Sequence, residues 1–488
     1  MGWTLEPAPF IFLKDKALAG GTPNLSCGEP SVRGEEPMAE KKFWNKGIET
    51  LPLEEIRKIQ FRKLKRQMRY IYEHSEFYRK KFDDCGVKPG DIRNLDGFRD
   101  LPIFITKEEH RACQDESLRR FGHPFGTILC APLEKVIGVS ATSGTSGLPT
   151  FYGFTKHDIE VTNEVLARGF WRAGVRPGET VVHAFGMSMW VAGIPIIRAL
   201  EHMGARVVPV GAEAGSERLL QFIDQTKPTT LMCTPSYAEH LIEKGPKVLN
   251  KEVRQLGIKR IICAGEPGAG LPEVRRKIKD AYGAKIFDSA GVPHGIYNIS
   301  CDSEEYQGMH VVCEDYHLYY DIVDPETKKA VEWKDGAVGE KLLTSLDWEA
   351  APPFRYDSAD IIQIFMGECE CGVKGVRVKF VGRVDDMLIV KGINVFPSAI
   401  RNIVNSFIPR VTGVFRIVLA NPPPRVVPPL KIRVEYGQGI TEGGIDSLRL
   451  EMEEKMSNLL RFRPSIEFVS PESLERTAGK VKLFEKRY

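Results

Sequence analysis

Between Val139 and Thr150 the chain packs six hydroxyl side chains and two glycines behind a short apolar run, Val136–Val139. Glycine lets a backbone approach a ligand closely, and successive N–H groups in a turn form a concave anion site. Serine and threonine hydroxyls add donors without adding charge. Thr142, Ser143, Gly144, Thr145, Ser146 and Gly147 therefore read as a polyphosphate cradle, expected as strand, loop, then helix. A Ser/Gly linker is the plain alternative, but Pro149 and the aromatic and apolar residues that follow at once argue against it. No Lys-Ser/Thr pair closes the loop, so it is not a Walker-type P-loop. A second group is Cys301, His310, Cys369 and Cys371. Three thiols and an imidazole suit a structural zinc ion, although the spacing is not that of a zinc finger. Unrelated buried thiols are the alternative reading, and Cys313 and His317 stand as reserve ligands.

The elements that must hold these residues alternate. A capping box at Thr155–Asp158 opens a helix to Ala173. Apolar strands at 180–184, 206–210, 230–234 and 259–264 alternate with helical patterns such as Val191–His202. That alternation predicts a parallel α/β sheet whose ligand crevice lies at the strands' carboxyl ends. Gly265-Glu266-Pro267 and Asp288–Gly291 follow two such strands and belong in that crevice, while the absent third glycine after Gly268-Ala269-Gly270 excludes a Rossmann fingerprint. Leu53–Lys81 reads as one amphipathic helix with a solvated basic face. Residues 309–380 are richer in strands, and 387–488 form an α+β pattern with a helix from Pro397 and another at Ile445–Leu460. The expected architecture is α/β: a large N-terminal domain with parallel α/β sheets and a β-rich subdomain, then a small mobile α+β C-terminal domain. The boundaries fall at 1–37 (a disordered extension), 38–385 and 386–488.

With 488 residues, 42% hydrophobic and 27% charged, the chain is long enough for at least two domains of ordinary globular composition. A net charge of +3 implies no general attraction to nucleic acid or membrane. Ten scattered cysteines point to a reducing, cytoplasmic setting rather than a disulfide framework. No stretch approaches the roughly 18 apolar residues of a membrane span.

Taken in order, these motifs resemble the adenylate-forming superfamily of acyl-CoA synthetases, and most closely its phenylacetate–CoA ligase branch, over residues 40–488. The residues that carry the resemblance are the Ser/Thr/Gly loop, Gly265-Glu266-Pro267, Arg355-Tyr356 to Asp360, Gly382-Arg383-Val384-Asp385-Asp386, Asn394–Pro397 and Thr477-Ala478-Gly479-Lys480. The resemblance implies ATP, Mg²⁺ and coenzyme A, with an aryl or arylacetic acid as substrate, an acyl-adenylate intermediate and a thioester product. It further implies that Thr142–Gly147 hold the phosphates, and that Gly265, Glu266, Pro267 and Asp288 border the adenine. Asp360 would bind the ribose hydroxyls with Arg383 nearby, and Lys480 would stabilise the adenylation step. Asp385 would be the hinge, with Lys391, Gly392 and Asn394 lining the coenzyme A tunnel. Branch members share a Cys…Gly-x-His and Cys-x-Cys pattern, and many are homodimers.

One stretch departs from the family. Where a Mg²⁺-binding glutamate is usual stands His294, preceded by Pro293, and Ala290 replaces the stacking aromatic. Imidazole is a poorer Mg²⁺ ligand than carboxylate, so His294 is expected to direct the phosphate or acyl group instead. The segment His183–Trp190, with Phe185, Met187, Met189 and Trp190, reads equally as an acyl pocket or as core. Two other functions remain open at this stage: an adenylyltransferase or carrier-loading enzyme, and a catalytically altered nucleotide-binding regulator.

Overall fold

The computed structural model describes residues 41–488 apart from 143–148, 267, 385, 391–392, 422, 424, 438–439, 441 and 476–482. Contacts within the chain separate Met1–Lys41 from Lys42–Tyr488, and the account below concerns the second unit. The expected disordered extension, 1–37, lies outside the described residues.

Eleven strands form one sheet, and its two halves are built differently. In spatial order the parallel half runs Arg206–Pro209, Thr180–His183, Thr230–Cys233, Arg260–Cys263 and Lys285–Val292. The inner members Thr180–His183 and Thr230–Cys233 are buried throughout, as strands covered on both faces must be. Lys285–Val292 is parallel to Arg260–Cys263 on one side and antiparallel to Ile296–Ser300 on the other. Beyond it the antiparallel half continues through Met309–Val311, Arg377–Arg383, Tyr356–Phe365, Val338–Ser345 and His317–Val323. The β-rich part is thus an antiparallel extension of the same sheet.

Local chemistry sets the helix ends. Thr155 and Asp158 make both bonds of the predicted capping box, and Asp158 also accepts from the backbone N–H groups of Glu349 (2.7 Å) and Ala350 (3.0 Å). The predicted helix over Leu53–Lys81 is two helices, Leu53–His74 and Glu76–Asp84. Ser75 is extended between them and accepts from Tyr78 N as an N-cap, while its hydroxyl donates to Thr127 O. A serine that finds two backbone partners outweighs the continuous apolar pattern.

The Ser/Thr/Gly loop also differs from expectation. It joins two antiparallel strands, Gly138–Thr142 and Thr150–Phe154, with Thr142 paired to Thr150. The helix Lys156–Arg172 begins only after the second strand. Thr150–Phe154 alternates too little in polarity to be seen as a strand, because four of its five residues are buried.

Residues 388–484 build a hydrophobic core of their own. It contains a three-stranded sheet, a four-stranded sheet and the helices Pro397–Asn405 and Glu442–Leu460. Among the described residues, no helix is long and apolar enough to cross a membrane.

Candidate active site

The crevice lies where the parallel strands end and the sheet changes direction. Strand Arg260–Cys263 runs into Gly265, whose φ of +91° is a conformation open to glycine. Glu266 follows, and its Oε1 accepts from Ser236 N (2.9 Å) at the start of helix Pro235–Leu249. An acceptor on the first turn of a helix is favourably placed against the helix dipole. On helix Pro397–Asn405, burial holds the Arg401 guanidinium below its ordinary value against the pull of Glu266 and then Glu239. A cavity of about 320 Å³ opens there, lined in part by Ser236, Tyr237, Glu239, Arg401, Arg416 and Glu475.

Asp288, on the next strand, receives the Tyr306 hydroxyl at 2.7 Å, and its own N–H donates to Ser300 Oγ. Burial pushes its carboxyl up to about 6, with Tyr306, Arg275 and Lys379 pulling the other way.

Asp360 and Arg383 face each other in register across adjacent strands. Arg383 Nη1 donates to Asp360 Oδ1 at 2.6 Å, and Lys341 Nζ donates to Oδ2 at 3.0 Å. Burial would raise the Asp360 carboxyl, but Lys341 and Arg383 outweigh it and hold the group below its ordinary value. Lys341 is fully buried, and burial lowers its ammonium despite the Asp360 charge. The result is an anion fixed between two cations.

Beside the Ser/Thr/Gly loop, Thr142 and Tyr356 both hydrogen-bond the Tyr152 hydroxyl. His294 is buried with its ring edge-on to Tyr152, at 5.0 Å between centroids, and close to Trp348 and Tyr356. Its Nδ1 is buried without a hydrogen-bond partner. Burial first, then His110 and His317, hold it well below the ordinary imidazole value, so it is neutral. A neutral imidazole boxed by aromatic rings does not fit a hard, oxygen-seeking Mg²⁺ ion.

The four soft ligands come together: Cys301, His310, Cys369 and Cys371 offer atoms all within 4.8 Å of one another. Cys301 Sγ and Cys369 Sγ are 3.6 Å apart, and Cys371 Sγ lies 3.4 Å from His310 Nε2. Ligands arranged tetrahedrally about zinc at 2.0–2.3 Å sit about 3.3–3.8 Å apart, so the donor set fits that ion. Burial, with Arg172 and Arg377 adding to it, holds the His310 imidazole down to about 2, leaving it neutral and able to ligate. The reserve ligands do not join the cluster. His317 instead pairs through Nδ1 with Ser345 Oγ (3.1 Å), and its ring lies near Trp348.

Of the remaining expected residues, Ser143, Gly144, Thr145, Ser146, Gly147, Pro267, Asp385, Lys391, Gly392 and Lys480 lie outside the described residues. Asn394 is placed by its backbone alone, opposite Ile389. In the suspected acyl segment Phe185 is core, Met189 is 44% exposed, and Met189 O accepts from Ala141 N (2.7 Å) beside the Ser/Thr/Gly loop. Sequence reasoning missed Lys341 and Tyr306, and it gave no role to Tyr152, among the aromatic residues after the loop, or to Tyr356, within the Arg355–Asp360 motif. Of the two missed, only Lys341 left a signal, a lysine inside the apolar strand Val338–Ser345.

Comparison with known proteins agrees with this geometry. The family model "AMP-binding enzyme C-terminal domain" matches residues 392–487. Phenylacetate-coenzyme A ligase of Thermus thermophilus is 34% identical over 377 residues, covering 76% of this chain and 80% of that protein. The crystal structure of 2-hydroxyisobutyryl-CoA ligase in the postadenylation state with 2-HIB-AMP is 28% identical and superposes with a TM-score of 0.82, covering 93% of this chain and 94% of that one. The same enzyme in its thioesterification state, with 2-HIB-AMP and CoA, superposes less well, at 0.65 with 29% identity over the same shares. The fold is that of AMP-forming CoA ligases, and the chain is one of them. Within that class, this chain belongs to the phenylacetate–coenzyme A ligase family.

Proposed function

We propose that this protein joins an aryl or arylacetic acid to coenzyme A by way of an acyl-adenylate. A carboxylate oxygen attacks the α-phosphorus of ATP, the bond to the bridging oxygen breaks, and pyrophosphate leaves. The coenzyme A thiol then attacks the acyl carbon, the acyl–phosphate bond breaks, and AMP leaves. Both halves bring anions together, so the protein's task is positioning and charge compensation.

The observation that carries this reading is Asp360, held as an anion between Lys341 and Arg383. A carboxylate with lone pairs to spare is suited to the vicinal hydroxyls of a ribose. Gly265, Glu266, Pro267 and Asp288 are assigned to the adenine, Thr142–Gly147 to the phosphates, and Lys480 to the adenylation step. Asp385 is assigned as the hinge between 38–385 and 386–488, and Lys391, Gly392 and Asn394 to the coenzyme A tunnel. His294 is assigned to direct the phosphate or acyl group. Mg²⁺ enters with ATP rather than as an ion held at position 294. Zinc at Cys301, His310, Cys369 and Cys371 is structural. The nine free cysteines among the described residues suit a reducing, cytoplasmic setting. A homodimer is the assembly assigned by family likeness.

Acid-dependent ATP–pyrophosphate exchange across benzoic, phenylacetic, indoleacetic and aliphatic acids tests the reading. Exchange with an aromatic acid, and AMP release that requires coenzyme A, is the expected result. Exchange without coenzyme A-dependent release would assign a different acceptor.

A further inference from the structure

Tyr306 lies on the chain between Cys301 and His310, within electrostatic reach of the Cys301 thiol, and bonds to Asp288 on the other side. Its hydroxyl donates to Asp288 Oδ2 at 2.7 Å. Its ring closes on Gly270, where a Cβ would lie 2.8 Å from Tyr306 Cζ and 2.9 Å from Asp288 Oδ2. Gly270 ends the turn that Gly265 begins, so tyrosine, carboxylate and turn pack as one unit behind the crevice.

The other side of Tyr306 leads to the cluster. It lies on the connection between strands Ile296–Ser300 and Met309–Val311, which begins at Cys301 and returns to the sheet just before His310. Arg377 straps this connection to the Cys369–Cys371 segment. Its Nη1 donates to Gln307 O (3.1 Å) and Oε1 (3.2 Å), and its Nη2 to Gly367 O (3.0 Å) and Glu368 O (3.3 Å). Arg275 is a second strap, running from Ala269 O (3.4 Å) in the nucleotide turn to Cys301 O (3.5 Å).

We propose that metal held by Cys301, His310, Cys369 and Cys371 sets nucleotide affinity through Tyr306, a positioning residue for Asp288 and the Gly265–Gly270 turn. This rests on the reading that Asp288 and that turn receive the adenosine. A metal ion that binds the ordered loop better than the loose one narrows the loop's conformations, because binding energy becomes ordering energy. Linkage makes the effect reciprocal: nucleotide binding must act back on the metal.

The test uses the intact protein, with metal content measured directly and AMP affinity by calorimetry. Wild type is expected to carry one zinc per chain. Tyr306→Phe is expected to keep that zinc and a cooperative melting transition, lowered by a few degrees, while binding AMP about tenfold more weakly, the size of one hydrogen bond to a charged group. In protein substituted with cobalt, AMP is expected to shift the thiolate-to-cobalt absorption band in wild type and leave it unmoved in Tyr306→Phe. A protein that takes up no zinc, a Tyr306→Phe variant with wild-type AMP affinity, or a wild-type band insensitive to AMP would each overturn the proposal. Wild type that binds no AMP would instead remove the reading beneath it.

Discussion

Replacing Lys341 by methionine tests whether Asp360 is held as an anion by two cations. Methionine keeps much of the length and deletes the charge. Lys341 is 0% exposed in its side chain, Asp360 13% and Arg383 31%, so the variant strips Asp360 of its better-buried partner. Losing a charged donor to a buried carboxylate oxygen costs about 1.5–3 kcal/mol. The ammonium no longer has to be desolvated, which offsets part of that loss and leaves a net destabilisation of about 2 kcal/mol near neutral pH. The pH dependence follows from the direction of the shift. In wild type the folded Asp360 carboxyl lies below its ordinary value of 3.8. Its contribution is therefore complete above that value and is lost as pH falls through the lower, folded one. In the variant, burial opposed only by Arg383 and, more weakly, Lys107 moves the carboxyl up. The deficit against wild type then shrinks as pH falls through the raised value, since a protonated Asp360 does not need Lys341. Urea unfolding midpoints at about pH 7.5 and about pH 5 measure this. Equal deficits at both values, or none at the higher one, would refute the reasoning.

Four other outcomes are expected. His294→Ala lowers the pyrophosphate exchange rate, and His294→Glu steepens its dependence on Mg²⁺; exchange unmoved by alanine would remove His294 from the site. Gly270→Ala forces a Cβ against Tyr306 and Asp288 and costs about 1–3 kcal/mol of stability, together with weaker AMP binding, read by melting and calorimetry. Cys369→Ser abolishes stoichiometric zinc in metal analysis and lowers the melting temperature by several degrees. Asp288 is shifted from 3.8 up to about 6, so its ionisation opposes folding: stability from this group is greatest below 3.8 and is lost as pH rises through about 6. Asp288→Asn removes that slope from the urea midpoints.

The parallel strands were legible because burial on both faces writes an uninterrupted apolar run, as in Thr230–Cys233. Helix starts were legible where side chains cap them, as at Thr155. The break at Ser75 was hidden because the apolar stripe continues across it, and only the tertiary acceptor Thr127 O makes serine's extended conformation worthwhile. Thr150–Phe154 was hidden because its partner strand lies across a loop of small residues that signals a ligand as strongly as a turn. Asp360 and Arg383 were found by motif, whereas Lys341 acquires its role only from sheet order, which places Val338–Ser345 beside Tyr356–Phe365. Tyr306 has no sequence signal because its partner Asp288 lies 18 residues away across a strand pair. The four cluster residues were legible as candidate ligands by type, but their convergence depends on the antiparallel half of the sheet, where His310 pairs with Arg377.

The first long helix has a consequence for how the chain is made. Three of its polar anchors are late in the sequence: Gln60 donates to Glu314 O, Gln67 to Trp348 O and Tyr70 to Glu349 O. Gln60 and its acceptor are 254 positions apart. At ribosomal speeds of about 5–20 residues per second, that interval lasts roughly 13–50 s. During it, Ile56, Leu64, Met68 and Ile71, all buried in the finished protein, have left the ribosome before the strands that cover them exist. The amphipathic helix is thus a nascent-chain liability that chaperones must shield, and a truncation short of residue 349 would expose it permanently.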